Sequence, residues 1–322
     1  MDQQQLIVLA MGAARRAHLD FGVDPRSRVD VFGALRSAGA HVFFRPLKSM
    51  YGAYLPSADN LPGLLINSNL PLSTQRYTAA HELGHVFLKH KTVSLDTEVG
   101  FVAELRSGVD EDEVVAEAFG AFFLMPKPLV VNSIKELDVH VEHLRPRDVY
   151  LLALRMGTSF SATINQLQTL KIIHRGLATK LRELTPKEVK QDLNDNEALG
   201  RHDIWVLDEH WNGKEIYPAP EDTIRIQLAE IPTSGYTWLF GEQPPGVQLV
   251  EDKYRDDTSK EAIGGSRLHE FVARVEENAQ DARLKLEKRR PWEKVPARTE
   301  FSVEIHPQEF RRTGPLDLPT LA

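Results

Sequence analysis

The hydrophobic pattern of the chain changes its period about two thirds of the way along. Up to residue 184, apolar side chains mostly recur every three or four positions, which predicts helices at 4–21, 29–38, 76–90, 110–126, 147–156, 161–170 and 180–184. Three short apolar runs separated by Gly, Pro and Asn predict a small antiparallel sheet, at 41–46, 51–55 and 63–67. Seven short runs after residue 202 predict an all-β sandwich, at 203–207, 223–229, 237–240, 247–250, 268–275, 282–288 and 301–305.

The helical stretch 76–90, RYTAAHELGHVFLKH, contains the pattern H-E-x-x-H. Positions i and i+4 lie on the same face of a helix, so His81 and His85 can bind one metal ion, and Glu82 can take a proton from water activated by that ion. The uncharged, helix-forming neighbours favour this interpretation. The alternative is a buried helix whose two histidines are hydrogen bonded within the core.

A second stretch, 110–126, is an acidic-ended and otherwise apolar helix, DEDEVVAEAFGAFFLMP. Because a catalytic zinc usually has three protein ligands and one open position, a further ligand has to come from outside the first motif. We predict Glu113 as that ligand and Glu117, one turn later, as a group that orients a histidine ligand. The reverse assignment stays open, and so does a role for both as capping and surface carboxylates.

Composition narrows the class of protein. The 322 residues include 39 Lys and Arg against 46 Asp and Glu, a net charge of −7, which gives no overall attraction to nucleic acid or anionic membranes. There is no cysteine, so a metal site must use nitrogen and oxygen ligands. No stretch approaches the ~18–20 apolar residues of a membrane span, and the first residues lack the pattern of a secretory signal. We therefore expect a soluble, cytoplasmic protein.

Taken together, the two helical motifs resemble the ImmA/IrrE metallopeptidases, over about residues 1–175. Leu124, Met125 and Pro126 at the end of the second motif and the short strands before the first also match that family. The resemblance implies a cytoplasmic enzyme with a Zn²⁺ cofactor that cleaves a regulatory protein such as a helix-turn-helix repressor. The chain departs from the family at Glu117, where Asn or Asp is usual, and at Val115, where a further Glu is usual.

The C-terminal part resembles the chagasin-type inhibitors, which are immunoglobulin-like β domains whose loops enter the cleft of papain-like cysteine peptidases. The resemblance is carried by three loops, whose predicted partner-binding residues are Pro232, Thr233, Ser234, Gly235 and Tyr236, then Gly264 and Gly265, then Arg290, Pro291 and Trp292. Aromatic side chains and tight glycine turns are typical of interfaces. For Trp238 a core position is an equal alternative. Ile231 stands where the family usually has Asn.

These observations predict a multidomain α+β chain. We expect a zincin-like metallopeptidase domain with a small sheet (1–145), a helical, helix-turn-helix-like segment or plain helical hairpin (146–184), a linker (185–202), a chagasin-like, immunoglobulin-like sandwich (203–310) and a tail (311–322). The predicted function is a zinc-dependent endopeptidase whose β domain binds or senses a protein partner. The alternative is a regulatory binding protein or cysteine peptidase inhibitor with a silent or structural metal site. Nucleic acid stays a minor option through the basic residues of the segment 171–182.

Overall fold

The computed structural model describes residues 2–55, 62–90, 94–96, 110–255, 267–293, 297, 299–308 and 314–315. The chain forms two compact units. The first consists of Met1–Lys135, Val139–Leu184 and Arg311–Ala322, and the second of Glu136–Asp138 and Thr185–Phe310. The first unit mixes helices with a sheet, and the second is rich in β structure, as the change of period predicts.

Helices make up most of the first unit. They are α1 (Gln3–Asp20), α2 (Val31–Ser37), α3 (Leu72–Leu88), α4 (Glu111–Leu124), α5 (Lys127–Glu136), α6 (Pro146–Met156), α7 (Phe160–Thr169) and α8 (Arg175–Leu181). Local signals set several of their ends. Asp2 and Gln5 cap α1 reciprocally, and the Asp110 carboxylate accepts from the amide of Asp112 at the start of α4. The last helix, expected at 180–184, lies instead at α8 and ends where that prediction begins.

The sheet of the first unit is mixed, so the prediction of an antiparallel sheet is wrong in part. Its strands are β1 (His41–Arg45), β2 (Gly52–Leu55), β3 (Gly63–Asn67), β4 (Ser94–Asp96) and β13 (Gly314–Pro315), in the order β13-β1-β3-β2-β4. β2 pairs antiparallel with β3, but β1 pairs parallel with β3. The prediction assumed that strands next to each other in the sequence also pair in the sheet. β1 pairs with β3 and not with β2, so its direction relative to its neighbour does not follow from the order of the strands in the chain. β13 comes from the stretch expected to be a tail.

Buried layers surround the motif helix. α3 packs against β2 and β3 on one side and against α4 on another, and α4 also packs against α1. α4 and α5 together are long and apolar enough to span a membrane by composition, but 78% of the apolar window is buried inside the unit. This burial is that of a core helix and is consistent with a soluble protein.

The helices α6 and α7, which follow the first two motifs, pack against each other across a short turn. α6 ends at Gly157, whose φ of 69° allows the three-residue turn before α7. Arg76 of α3 fixes this turn, since its side chain donates to the carbonyl of Gly157 at 2.9 Å and to that of Val29 at 2.6 Å.

The strands that the structure describes in the second unit form two four-stranded sheets. The strands are β5 (Ile204–Leu207), β6 (Lys214–Ile216), β7 (Thr223–Glu230), β8 (Thr237–Phe240), β9 (Val247–Arg255), β10 (Arg267–Val275), β11 (Ala282–Arg289) and β12 (Thr299–Ile305). The sheet orders are β5-β7-β10-β9 and β6-β12-β11-β8. Phe240 and Phe271, one from each sheet, have ring centroids 6.0 Å apart, so the sheets share a core.

The stretch expected as a linker contains a further helix, α9 (Pro186–Leu193). Its start is a capping box. Glu188 accepts from the amide of Thr185 at 2.7 Å, and Thr185 Oγ1 accepts from the amide of Glu188 at 3.3 Å. Pro186 at the first helical position adds to this signal. The polar composition of the stretch therefore hid a local helix signal, T-P-K-E, that is readable in the sequence.

Candidate functional site

The H-E-x-x-H pattern lies in the C-terminal half of α3. The helix begins at Leu72, one turn earlier than the motif pattern predicts, and ends at Lys89 in the left-handed conformation. His81, Glu82 and His85 are all buried, so the surrounding protein holds these polar side chains in place. The structure thus puts both imidazoles on one face of one helix, as the i, i+4 spacing predicts.

Two glycines let α3 and α4 cross closely. A Cβ added at Gly84 would lie 3.1 Å from Phe119 Cδ1 and 3.2 Å from Ala116 Cα, and one at Gly120 would lie 3.1 Å from the backbone nitrogen of His81. Larger residues at these positions would push the helices apart. The close crossing is what brings the N-terminal carboxylates of α4 to the motif histidines.

Three side chains converge at this crossing. His81 Nε2 and His85 Nε2 are 3.1 Å apart, Glu113 Oε2 is 3.4 Å from His81 Nε2, and Glu113 Oε1 is 3.6 Å from His85 Nε2. Ligand atoms placed tetrahedrally at zinc bond lengths of 2.0–2.1 Å are about 3.3 Å apart. Two imidazole nitrogens and one carboxylate at these separations fit a single divalent ion, and the donor set matches that of known catalytic zinc sites.

The electrostatic surroundings of Glu113 favour its ionised form. Burial works against ionisation of this carboxyl, but hydrogen bonds and charge from His81 and His85 outweigh it and hold the pKa of Glu113 far below its usual range. The side chain is therefore an anion, which is the form that coordinates a metal.

Glu117 lies behind His81 and not beside the three converging atoms. Its Oε2 is 3.4 Å from His81 Nδ1, and its Oε1 accepts a 2.9 Å hydrogen bond from the Tyr77 hydroxyl. A carboxylate in this place favours the tautomer of His81 that keeps a lone pair on Nε2. Glu113 is therefore the carboxylate that converges with the two Nε2 atoms, and Glu117 lies on the Nδ1 side of His81.

A comparable group, which was not predicted from the sequence, lies behind His85. His90 Nδ1 lies 2.9 Å from His85 Nδ1, and His90 Nε2 lies 3.4 Å from Asp112 Oδ1. Burial lowers the pKa of His90, and the charge of His85 lowers it further, against the opposing charge of Asp112. The sequence shows a histidine five residues after His85, but it does not show which way the ring of that histidine points.

Glu82 lies next to β2, the strand that also contacts His85. A Cβ added at Gly52 would lie 2.5 Å from the methyl group of Thr78 and 3.2 Å from Glu82 Oε1, so only glycine lets the strand approach this carboxylate. Tyr54 of the same strand stacks on His85 with ring centroids 5.6 Å apart. Burial and the charge of Glu82 raise the pKa of the Tyr54 hydroxyl, so it remains a hydrogen-bond donor at neutral pH.

In the second unit, two of the three predicted loops lie together. Trp292 covers Gly235, where an added Cβ would be 3.0 Å from the indole ring, and Arg290 donates to the carbonyl of Ser234 at 3.3 Å. The guanidinium of Arg290 also lies 4.8 Å from the ring centre of Tyr236. Pro232, Thr233 and Ser234 form a short 3₁₀ turn, and Pro291 lies in the turn after β11. Gly264 and Gly265 lie outside the described residues.

This pair of loops presents two apolar side chains. Trp292 is 70% exposed and Ile231 is 52% exposed, whereas Trp238 is only 4% exposed and belongs to the core of the unit. Exposed tryptophan is unusual on a soluble surface and is favoured at protein interfaces.

A buried carboxylate supports the first of these loops from below. Glu230, 1% exposed, precedes the loop, and its Oε1 accepts from the amide of Trp238 at 2.6 Å and from Thr237 Oγ1 at 2.8 Å. His269 Nδ1 lies 2.7 Å from the same oxygen, and its Nε2 lies 2.6 Å from Asp252 Oδ1. One carboxylate therefore connects both ends of the loop 231–236, a role that the sequence analysis did not foresee.

An H-E-x-x-H helix crossed by a helix that supplies a carboxylate defines a metallopeptidase-like domain. Residues 35–167 match the IrrE N-terminal-like domain of the M78 peptidase family, and residues 219–305 match the chagasin family of peptidase inhibitors, I42. Both resemblances expected from the sequence are confirmed. The first match indicates a metallopeptidase-type hydrolase, and the second a domain related to protease inhibitors.

Several solved structures are similar to the chain. The cysteine protease inhibitor EhICP2 from Entamoeba histolytica is 21% identical, over 33% of this chain and 96% of its own, with a TM-score of 0.31. Amebosin is 24% identical, over 34% of this chain and 100% of its own, with a TM-score of 0.28. PbICP-C, solved in complex with falcipain-2, is 10% identical, over 33% of this chain and 89% of its own, with a TM-score of 0.24. No curated protein matches the chain.

Proposed function

We propose that the first unit is a zinc-dependent endopeptidase with a zincin-like active site. The observation that supports this most directly is the convergence of His81 Nε2, His85 Nε2 and the Glu113 carboxylate at 3.1–3.6 Å, from two helices that cross through glycines. His81, His85 and Glu113 would hold the ion. A bound Zn²⁺ supplies Lewis-acid chemistry, polarising the scissile carbonyl and acidifying water.

Two other residues of the first unit supply the general base and the orientation of His81. Glu82, next to His81 on α3, is the general base that takes a proton from the attacking water and then delivers it to the leaving amine. Glu117 keeps the lone pair of His81 directed at the ligand position. The burial of Glu82 limits its contact with bulk water, so the proton it takes up is kept for the leaving group.

The proposed substrate is a regulatory protein such as a helix-turn-helix repressor, and its support is the family match over 35–167. The test of peptidase function uses the full chain, with zinc content and cleavage of candidate protein substrates measured in parallel. We expect near-stoichiometric zinc in the wild type, its loss in His81→Ala, and retained zinc without cleavage in Glu82→Gln. Wild-type protein without zinc, or Glu82→Gln with full activity, would refute the proposal.

A second function is supported by a separate observation, the exposed side chains of Trp292 and Ile231 on two loops that pack on each other. We propose that the immunoglobulin-like second unit binds a protein partner through these loops, and a papain-like cysteine peptidase is the partner class to test first. In this alternative the chain is a regulatory binding protein or inhibitor, and its metal site is silent or structural.

The test adds the full chain carrying Glu82→Gln to a papain-like enzyme, so that no proteolysis by the first unit interferes. Inhibition at micromolar concentration that is lost in Trp292→Ala supports the binding function. A matched control is Val250→Ala, which removes another exposed apolar side chain, on β9. Equal inhibition by all three proteins, or none by any, contradicts partner binding by these loops.

A further inference from the structure

The chain reverses its direction at the end of α3, so that His90 lies behind His85 at the proposed metal centre. Lys89 adopts the left-handed conformation, with φ of 57°, which stops the helix. The next amide, that of His90, then bonds back to the carbonyl of His85 at 3.0 Å. This reversal places the rings of His85 and His90 edge to face, with centroids 4.9 Å apart.

The protons in this pair have one consistent arrangement when His85 binds a metal. Coordination through Nε2 needs its lone pair, so the single ring proton of neutral His85 is on Nδ1. Among the described residues, the partner of that proton is His90 Nδ1, 2.9 Å away, which is then the acceptor. The proton of His90 is thereby placed on Nε2, facing Asp112 Oδ1 at 3.4 Å.

Neighbouring groups hold the rings of His85 and His90 in this orientation. Tyr54 stacks on His85 at an interplanar angle of 16°, and its hydroxyl donates to the carbonyl of His90 at 3.2 Å. Asp112 lies in the first turn of α4, one residue before Glu113, so the helix that supplies the carboxylate at the ligand position also supplies the carboxylate that faces His90. The two histidines of the motif are thus oriented differently, one by a carboxylate directly and the other through a second imidazole.

We propose that His90 is a positioning residue for metal binding, which accepts the Nδ1 proton of His85 and is itself oriented by Asp112. This inference rests on the proposed metal-dependent function. It assigns a role to a pair of residues outside the H-E-x-x-H pattern and the carboxylate at the ligand position. Removing an orienting partner of a metal-bound histidine typically costs 10–100-fold in metal affinity.

The test measures Zn²⁺ affinity of the full chain by competition with a chromophoric chelator, together with the visible spectrum of the Co²⁺-loaded protein. His90→Leu removes the acceptor, and we expect affinity to fall about 10–100-fold with a changed Co²⁺ spectrum. In His90→Asn the side-chain oxygen can occupy the place of Nδ1, and we expect affinity within about threefold of wild type, since the acceptor for His85 is kept. His18→Leu is the control, because it removes a buried histidine that bonds to the carbonyl of Phe123 and not to the ligands. It should lower stability but leave the affinity unchanged.

A second pair of variants tests the relay if His90→Leu does not fold. Asp112→Ala removes the group facing His90, and Glu111→Ala removes a carboxylate of the same charge from the same first turn of α4. We expect affinity to fall several-fold in the first and to stay unchanged in the second. Equal affinities in this pair, or equal losses in His90→Asn and His90→Leu, overturn the positioning role. If wild-type protein binds Zn²⁺ and His90→Leu binds it equally well, only this inference fails, whereas wild-type protein that binds no metal refutes the proposed function as well.

Discussion

Gly120 of α4 lies directly against the backbone of His81 of α3. A Cβ built on Gly120 would be 3.1 Å from the nitrogen of His81, which is tighter than ordinary van der Waals contact, and 3.4 Å from its Cα. On the same crossing, a Cβ on Gly84 would be 3.3 Å from the carbonyl oxygen of Ala116. The distance between the first two proposed ligands and the third is thus set by the absence of side chains at two positions.

This contact predicts the effect of one methyl group. We expect Gly120→Ala to separate α3 from α4, weaken zinc binding at least tenfold, and lower the unfolding free energy by about 1–3 kcal/mol through overpacking. The matched control is Gly12→Ala in α1, where the nearest atom to the added Cβ is the flexible tip of Arg16 at 3.8 Å. That change should stabilise the chain by up to about 1 kcal/mol, because alanine is the better helix former. Chelator competition and thermal unfolding measure both effects, and similar behaviour of the two variants would contradict the close-crossing argument.

The roles of the two glutamates of α4 can be separated. Glu113→Gln replaces a carboxylate at the ligand position by a weakly coordinating amide, so we expect zinc affinity to fall by more than 100-fold. Glu117→Gln alters only the group behind His81, and an affinity loss of about 10-fold is expected. The measurement is again zinc competition on the full chain. A larger loss in Glu117→Gln than in Glu113→Gln would show that the assignments are reversed.

Buried support for the first loop of the second unit predicts a stability effect. Glu230→Ala leaves the buried amide of Trp238 without its acceptor, at a cost of about 1–3 kcal/mol, and removes one of the hydrogen-bond partners of the Thr237 hydroxyl. All four tryptophans lie in this unit, so tryptophan fluorescence follows its unfolding within the full chain. Glu277→Ala, an exposed carboxylate in the turn after β10, is the control and should shift the urea midpoint little. Equal midpoints for the two variants would disprove the supporting role.

The stability of the second unit should fall as pH rises towards neutrality, because of Asp222. Burial and the nearby charge of Asp203 raise the pKa of Asp222 to about 7, although it accepts hydrogen bonds from the amides of Asp203 and Ala219. Between the ordinary pKa near 3.8 and about 7, the unfolded chain releases a proton that the folded chain keeps. The contribution is therefore complete below the lower value and is lost as pH rises through the higher one.

Urea unfolding followed by tryptophan fluorescence between pH 4 and 8 measures this dependence. Asp222→Asn cannot titrate, so its unfolding free energy should show a shallower fall with pH than that of the wild type. Parallel pH profiles for the two proteins would mean that Asp222 does not titrate in this range.

Sequence reasoning worked best where the signal is local. The spacing of His81 and His85 follows from helix geometry alone, and the placement of Glu113 and Glu117 one turn apart on a buried helix indicated which helix supplies the carboxylate. It failed where the signal is not local. Neighbouring strands in the first sheet are chosen by packing, so the parallel pairing of β1 with β3 was not readable from chain order. The helix α9 in the predicted linker was missed for a different reason, because its capping box is visible in the sequence.

The amino-acid sequence was enough to predict two halves of different period, a helix with two imidazoles one turn apart and an acid beside them, and an acidic helix as the source of the next proposed ligand. The folded structure was needed to show which glutamate meets the histidines, because that depends on how closely α3 and α4 cross at Gly84 and Gly120. It also decided the role of His90, since the direction of its ring depends on the left-handed turn at Lys89 and on contacts with Asp112 and Tyr54. Periodicity is a property of one element, whereas a ligand set is a property of the packing between elements.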